Sequence, residues 1–283
     1  MKKKLILGVL LITVLLFTAC GNDEGEEAAE ISFGVTPWTS TVPPTEVASL
    51  IIQEMGYEVS YMETDAAGVY MGLAGDDNDI FMDGWIPAHE VYFETYEDEV
   101  ESISISYDEA EQGWVVPEYM EDINSIEDIL GNEELFNNEM YSIEDGASIT
   151  EVIDELIEGY GLEMTQVNSS EAAMIAQVMR NMENEEPVVF YGWRPHTMFR
   201  NLDIKLIDDD RGYFEESSVH VVVDKKLQEK APDVYAFLEN WSIDIGDVEQ
   251  MIVEIEDEGR DPEEVAQEWI DNNQEKVDEM INN

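Results

Sequence analysis

Residues 79–87 read DIFMDGWIP, and residues 187–195 read PVVFYGWRP. Each stretch begins with an apolar run typical of a buried strand and continues with glycine, tryptophan and, two residues later, proline. Because proline cannot extend a central strand, both patterns predict a strand with a tryptophan at its carboxyl end. Open α/β sheets bind ligands in the crevice outside that edge. We therefore expect Trp85 and Trp193 to face a binding crevice.

A third tryptophan, Trp38, follows residues 31–37 (ISFGVTP), which have the same strand-like character. Three indole rings that converge from separate segments would form a box of π-faces. Such a box suits a quaternary ammonium, because aromatic faces attract a cation that cannot donate hydrogen bonds at little desolvation cost. The remaining tryptophans lack the strand-end glycine or proline and are expected in the core: Trp114, Trp241 and Trp269.

The chain around these motifs alternates strands and helices twice. The first series comprises strands at 31–36, 58–63 and 79–82, a helix beginning near residue 43 and a helix at 69–73. The second series comprises strands at 139–143, 162–167 and 187–191, a helix beginning at residue 148 and a helix at 170–182. A further strand is expected at 219–223. This alternation predicts an α/β protein with two doubly wound, mainly parallel sheets.

Two similar series in one chain predict a hinged, two-lobed clamshell. Candidate crossings between the lobes lie near residues 112–117 and 211–218. Lobe I is expected to comprise residues 31–113 and 214–283, and lobe II residues 114–213.

Acidic residues dominate the composition: 67 acidic and 13 basic residues give a formal net charge of −54. This charge argues against nucleic acid as a partner, since phosphate binding requires lysine and arginine patches. The acidic residues are spread along the chain, which is typical of a solvated surface adapted to concentrated salt, where ions screen self-repulsion. We therefore expect a halophilic source. Attraction of cationic ligands would be a secondary benefit.

The amino terminus resembles a secretory signal peptide. Three lysines precede an apolar run in residues 5–17, and residues 1–20 end in Thr-Ala-Cys. The run is shorter than the ~20 residues that a membrane span requires. Cys20 is therefore predicted to be the lipidated residue of a membrane-anchored lipoprotein, with residues 21–30 as an acidic tether. It is the only cysteine, so a disulfide and a thiol nucleophile are not expected within the mature chain.

A candidate site for an anionic group lies at residues 146–149 (Gly146, Ala147, Ser148 and Ile149). Ser148 and Glu151 have the spacing of a capping box before an apolar helix, and the free N–H groups of a helix start favour a carboxylate. An ordinary helix start that binds nothing is the alternative. His89 and His196 each follow a crevice tryptophan and are candidate donors to an anion. His220 lies within an apolar strand and is expected to be structural.

Four motifs together resemble the glycine betaine substrate-binding proteins of bacterial ABC transporters, the OpuAC/ProX-like family: residues 79–87, 145–149 (DGASI), 169–174 (SSEAAM) and 192–199 (GWRPHTMF). The resemblance implies a type II periplasmic-binding-protein-like fold with two hinge crossings. It also implies a tryptophan prism around a trimethylammonium group, formed by Trp38, Trp85 and Trp193. The ligand carboxylate would be held by backbone amides from Gly146 to Ile149 and by His89, with His196 as the alternative histidine.

The resemblance further implies a monomeric extracytoplasmic receptor, without a cofactor or catalytic residues, that serves a membrane permease and its ATPase in osmoprotection. Glycine betaine is the expected ligand, while choline, carnitine and other methylated onium compounds stay open. A secreted carboxylate-dependent hydrolase is a weaker alternative, because the sequence lacks the familiar hydrolase and phosphate-binding motifs. A calcium-binding role for residues 76–79 or 208–210 is not expected, since neither has the spaced ligands of a calcium loop. No metal is expected.

Overall fold

The computed structural model describes residues 29–282 of the chain. The predicted signal peptide, Cys20 and most of the predicted tether lie outside the described residues. Two five-stranded sheets with helices packed against them form the described part. The helix and strand series predicted from the sequence is confirmed in outline.

The elements of the amino-terminal part, in chain order, are β1 (Glu30–Val35), α1 (Val42–Glu54), β2 (Glu58–Glu63), α2 (Ala66–Ala74), β3 (Ile80–Ile86), α3 (Glu90–Thr95) and β4 (Val100–Ala110). The middle part contains β5 (Gln112–Pro117), β6 (Glu139–Ser142), α4 (Ile149–Tyr160), β7 (Thr165–Asn168), α5 (Glu171–Glu183), β8 (Phe190–Trp193), α6 (Met198–Asn201) and β9 (Ile204–Leu206). The carboxyl-terminal part contains β10 (Ser217–Asp224), α7 (Leu227–Lys230), α8 (Pro232–Glu239), α9 (Ile245–Glu256), α10 (Pro262–Asn272) and α11 (Gln274–Asn282).

Both sheets have the same topology. The strand order is β2-β1-β3-β10-β4 in the first sheet and β7-β6-β8-β5-β9 in the second. In each sheet the first three strands are parallel βαβ strands, whereas the fourth comes from the other side of a crossing and runs antiparallel to its neighbours. We call the first sheet with its helices lobe I and the second sheet with its helices lobe II.

The chain passes from lobe I to lobe II at Glu111, between β4 and β5, and returns between β9 and β10. The carboxyl-terminal helices then pack on lobe I, where α10 lies against α1. The sheets contain more antiparallel pairing than the mainly parallel arrangement expected from the sequence. The reason is that β10 enters lobe I from the return crossing and pairs antiparallel with β3 and β4, while β5 enters lobe II from the first crossing and pairs antiparallel with β8 and β9.

Strand β3 shows why residues 79–87 dominate the fold. Six of its seven residues, from Ile80 to Trp85, are buried. A strand in the interior of a sheet that is covered on both faces is mostly apolar rather than alternating, and Asp83 is the one charged residue of β3. The strand also continues farther than the predicted range 79–82, so that Trp85 lies within β3 and Trp193 is the last residue of β8.

Candidate functional site

A cavity lies between the two lobes, at the carboxyl ends of β3 and β8. It contains about 340 Å³ of empty space, counting its open mouth. The wall is mainly aromatic and apolar. Its lining residues are Trp38, Trp85, Ala88, His89, Gln112, Ile143, Ala147, Ser148, Ile149, Tyr191 and Trp193.

The structure brings Trp38, Trp85 and Trp193 to the wall of this one cavity. All three are buried, with 6%, 5% and 3% of their surface exposed. Trp85 and Trp193 occupy equivalent positions on equivalent strands, and the proline two residues after each follows a cis peptide bond. Two tryptophans therefore come from lobe I and one from lobe II. The cavity wall is complete only when the two lobes lie together.

The glycine before each strand tryptophan permits close packing of the neighbouring strand. A Cβ on Gly84 would overlap Val222 Cγ2, and a Cβ on Gly192 would lie 2.6 Å from Val115 Cγ2. Val222 and Val115 belong to β10 and β5, the strands that enter each sheet from a crossing. The glycines thus let the crossing strands pack against the two strands that carry the cavity tryptophans.

Two of the three indole N–H groups donate to carboxylates. Trp38 Nε1 donates to Glu144 Oε1 at 2.8 Å, and Trp85 Nε1 donates to Asp83 Oδ1 at 3.0 Å. Hydrogen bonds of this kind fix the ring plane, because the indole has a single donor in a rigid direction. Both carboxylates also place negative charge beside the rings that line the cavity.

Asp83 is fully buried beneath the cavity wall. Besides Trp85, its carboxylate accepts hydrogen bonds from Ser40 Oγ at 2.8 Å and Thr41 Oγ1 at 2.7 Å. Burial raises the pKa of Asp83 to about 6, although all three hydrogen bonds favour the charged form. Three donors thus hold this buried carboxylate beside the cavity wall, and no motif in the sequence singles Asp83 out.

Tyr191 and Gln112 are cavity residues that the sequence analysis missed. The Tyr191 ring stacks on Trp193, with centroids 5.4 Å apart and planes 25° apart, and its hydroxyl donates to Gln112 Oε1 at 2.6 Å. Burial raises the pKa of Tyr191 well above its usual range, so the hydroxyl stays protonated. A signal did exist for Tyr191, because residues i and i+2 of a strand share one face and Trp193 was already assigned to the crevice.

His89 lies on the cavity wall as a neutral donor. Its Nδ1 accepts the backbone N–H of Trp85 at 3.1 Å, so the ring proton resides on Nε2. Burial lowers the pKa of His89 to about 3, which keeps the ring uncharged at neutral pH. The ring centroid lies 6.2 Å from that of Trp38. A neutral imidazole with its N–H on Nε2 can donate to an anionic oxygen beside the tryptophans.

Residues 147–149 form the opposite wall, on lobe II. The backbone N–H of Ala147 donates to Glu144 O at 3.1 Å and is not free for a ligand. Within the described part of the chain, no acceptor is found for the N–H groups of Ser148 and Ile149 at the start of α4. Two adjacent free amides at the positive end of a helix can hold a carboxylate.

The predicted capping box at Ser148 is wrong. Ser148 does occupy the position before α4, but its side chain makes no capping hydrogen bond. Its backbone angles are φ −57° and ψ −29°, which are already helical, whereas a side-chain cap requires an extended backbone at this position.

Gly146 lies behind the cavity wall rather than on it. Its carbonyl accepts a hydrogen bond from Tyr92 Oη of lobe I at 3.2 Å, and a Cβ at this position would lie 2.5 Å from Asp65 Oδ2. Gly146 is therefore a point of close approach between the lobes.

The other two histidines are engaged elsewhere. His196 Nε2 contacts Glu171 Oε1 at 3.1 Å, its Nδ1 accepts the backbone N–H of Met198, and it does not line the cavity. His220 forms hydrogen bonds with Ser102 and Ser218 within lobe I, each at 2.7 Å.

The three tryptophans expected in the core pack there, away from the cavity: Trp114, Trp241 and Trp269.

Over residues 29–282, no group of three or more histidine, cysteine, aspartate or glutamate side chains is arranged to hold a metal ion. In the same range, no helix is both long and apolar enough to span a membrane.

The chain is similar to a known family of substrate-binding domains. The family described as the substrate binding domain of ABC-type glycine betaine transport system matches residues 29–272. The glycine betaine/carnitine transport binding protein GbuC of Listeria monocytogenes is 35% identical over 148 residues, which is 51% of this chain and 49% of that protein. The match thus spans about half the length of this curated relative.

Two solved structures are similar over most of the chain. Lactococcal OpuAC, in its closed-liganded conformation complexed with glycine betaine, has a TM-score of 0.82 and 26% identity, covering 89% of this chain and 99% of that one. An ABC-transporter choline binding protein in complex with choline has a TM-score of 0.83 and 26% identity, covering 91% and 93%. These likenesses confirm the two-lobed α/β fold.

Proposed function

Because this chain belongs to the family of substrate-binding domains of ABC-type glycine betaine transport systems, we propose that it captures glycine betaine outside the cytoplasm for import. The family consists of transport receptors rather than enzymes. The protein would bind its ligand non-covalently by closure of the two lobes, and no covalent step is required.

The observation that carries this proposal is the set of three indole rings on one interlobe cavity. The trimethylammonium group has no N–H, so a carboxylate partner gains no hydrogen bond from it and must be desolvated. Each aromatic face instead offers about 0.5–2 kcal/mol of cation–π attraction. Three rings would supply a few kcal/mol of the about −8 kcal/mol that corresponds to a micromolar dissociation constant.

The opposite end of the ligand also finds suitable partners. Its carboxylate would accept from the free N–H groups of Ser148 and Ile149 and from His89 Nε2. Ala147 would contribute shape rather than a donor, because its amide is already bonded, and Gly146 is not among the residues that line the cavity. Exclusion of water by closure would strengthen both sets of contacts.

Isothermal titration calorimetry with glycine betaine and choline tests this proposal directly. Glycine betaine should bind, and choline should bind more weakly because it lacks the carboxylate. Removal of one donor should narrow the difference between the two ligands: His89→Leu, which has no side-chain donor, should weaken glycine betaine while leaving choline nearly unchanged. Absence of glycine betaine binding would refute the proposal.

Choline is the second candidate ligand, because the aromatic wall suits any trimethylammonium head and a choline complex is among the similar structures. Equal or tighter binding of choline would favour this alternative and would argue against a carboxylate role for Ser148, Ile149 and His89. Carnitine, which the printed name of one relative includes, belongs in the same ligand panel.

The proposed partners follow from the transport context. A membrane permease with a cytoplasmic ATPase would receive the ligand, and import of a compatible solute would serve osmoprotection. Cys20, outside the described residues, would carry the lipid anchor that holds the receptor at the membrane. Metabolic labelling with a palmitate analogue should mark the wild-type protein, and Cys20→Ala should abolish the label.

A further inference from the structure

The hydrogen bond between Trp38 and Glu144 joins the two lobes. Trp38 follows β1 in lobe I, whereas Glu144 follows β6 in lobe II, 106 residues later in the chain. Of the described hydrogen bonds made by cavity-lining indoles, the Trp85–Asp83 bond stays within lobe I. The orientation of Trp38 is thus the one fixed by the opposite lobe, and only when the lobes are together.

Glu144 is an unusual residue for this position. Its side chain is partly buried, and its second carboxylate oxygen, Oε2, is buried with no hydrogen-bond partner among the described residues. Burial raises the pKa of Glu144, and the neighbouring charges of Glu171 and Asp65 act in the same direction. A buried carboxylate with one unpaired oxygen and two acidic neighbours is destabilising unless a positive charge lies nearby.

Among the residues that the structure describes, no lysine or arginine forms a salt bridge with Glu144. Within residues 29–282, none of the salt bridges involves Glu144 or Asp65, and Glu171 is paired only with His196. Glu144 holds the edge of Trp38, and the face of the same ring lines the cavity. The nearest positive charge that the site could receive is therefore the onium group of a bound ligand.

We propose that Glu144 is a positioning and specificity-determining residue of this receptor: on closure it fixes the Trp38 indole, and its charge sets the relative affinity of the site for cationic and zwitterionic onium ligands. This inference rests on the proposed function. Two physical effects are combined in one carboxylate. The hydrogen bond orients the ring for any trimethylammonium ligand, whereas the charge acts on the net charge of the ligand.

The charge effect differs between choline and glycine betaine. Glu144 attracts the onium group of both ligands. It also repels the carboxylate of glycine betaine, which would lie at Ser148 and Ile149, only four and five residues farther along the same loop. Loss of the Glu144 charge therefore removes only an attraction from the choline complex and should weaken it. From the glycine betaine complex it removes both an attraction and a repulsion, so the net change in affinity should be small.

The test compares two substitutions at this position with a matched control. Glycine betaine affinity is measured by direct calorimetric titration, and choline affinity is measured by titrating choline into protein that already holds glycine betaine. Glu144→Gln keeps an oxygen acceptor for Trp38 and removes the charge. Glu144→Ala removes both. Glu158→Gln, at an exposed position on α4 of the same lobe, removes an equal charge far from the Trp38 contact.

In Glu144→Gln we expect choline to weaken by about five- to tenfold and glycine betaine by no more than about twofold. In Glu144→Ala both ligands should weaken by about tenfold or more, since the ring loses its partner. Glu158→Gln should match the wild type. Thermal melting of the ligand-free proteins should be similar throughout, which excludes misfolding as the cause.

Equal factors for the two ligands in Glu144→Gln, or unchanged affinities in Glu144→Ala, would overturn the inference while leaving the proposed function intact. A wild-type protein that binds neither onium compound would instead overturn the proposed function, and with it the role of Glu144. The two failures are therefore distinguishable in one series of titrations.

Discussion

At the scale of single residues, a specific side-chain contact orients each cavity tryptophan. Trp38 and Trp85 are tied by their N–H groups to Glu144 and Asp83, and Trp193 is covered by the Tyr191 ring. The rings are thus oriented before a ligand arrives, apart from the Trp38–Glu144 contact that requires closure. Preorganised rings lose little entropy on binding, so their π-faces contribute nearly their full attraction.

Replacement of any one cavity tryptophan by alanine should weaken glycine betaine binding by about tenfold or more, because a cation–π contact and an apolar contact are lost together. Trp269→Ala is the control, since Trp269 lies on α10 and its N–H donates to Asp247 at 3.0 Å, away from the cavity. Titration followed by intrinsic fluorescence measures the effect. Similar small losses in all four variants would argue against an aromatic cage.

The pH dependence of binding should follow Asp83. Its pKa is raised to about 6 by burial, so its negative charge beside Trp85 is present above that pH and is lost as the pH falls through it. A bound cation stabilises the charged form, and affinity for glycine betaine should therefore decline between pH 7 and pH 5. His89 does not titrate there, because burial lowers its pKa to about 3.

Calorimetry across this pH range, with Asp83→Asn as the comparison, checks this expectation. The substitution keeps an acceptor oxygen for Trp85 and removes the titrating group, so its profile should be flat. A decline of the same size in Asp83→Asn would assign the pH effect to another group.

At the scale of elements, β3 and β8 are equivalent strands that carry equivalent tryptophans. Each lies in its sheet between a parallel strand of a βαβ unit and an antiparallel strand that enters the lobe from a crossing: β3 lies between β1 and β10, and β8 lies between β6 and β5. At the glycine before each tryptophan, a side chain of the strand that enters from a crossing occupies the space a Cβ would need. In the pattern Gly-Trp-x-Pro, the glycine is thus required for packing of the neighbouring strand, and the tryptophan lines the cavity.

Gly192→Ala should destabilise lobe II, since its Cβ would lie 2.6 Å from Val115 Cγ2 and 3.1 Å from Met198 Sδ. Overpacking of this kind typically lowers the free energy of unfolding by about 1–3 kcal/mol. Gly113→Ala is the matched control, because Gly113 pairs with Gly192 and the tightest contact of its Cβ would be with the flexible end of Leu206 at 3.3 Å, while Phe214 would lie at an ordinary van der Waals distance of 3.7 Å. Urea denaturation followed by circular dichroism compares them, and equal stabilities would contradict the packing argument.

At the scale of the whole molecule, the surplus of acidic residues is the dominant feature. With a formal net charge of −54, the surface repels itself, while a buried apolar core extends through both lobes. Ion pairs are too few to offset the repulsion, because the sequence has 13 basic residues for 67 acidic ones. Screening by salt is the remaining source of relief.

The melting temperature should therefore rise with NaCl concentration. The screening length shortens from about 30 Å at 0.01 M to about 3 Å at 1 M, so most of the rise should occur below about 0.5 M. Differential scanning calorimetry measures it. A rise that is linear up to high concentration would indicate exclusion of the solute from the surface instead, and a flat profile would contradict the electrostatic argument.

Local patterns determined much of the fold before any tertiary information. The strand predicted at 58–63 coincides with β2, and the helix predicted at 170–182 is close to α5 (Glu171–Glu183). These segments have strong periodicity and clear boundaries. Strands β4, β5 and β9 were missed, because their burial comes from pairing across the crossings rather than from a pattern within each segment.

The sequence by itself determined the chemistry of this protein: an acidic surface, three tryptophans behind strand-like runs and a helix start able to hold an anion. The tertiary structure alone decided which groups hold those tryptophans. Glu144 reaches Trp38 across 106 residues of chain, and Gln112 reaches Tyr191 across 79. The first contact requires the approach of the two lobes, whereas the second requires the pairing of β5 with β8 within lobe II. The two partners of each bond lie far apart in the chain, so neither bond leaves a periodic trace in the residues that make it.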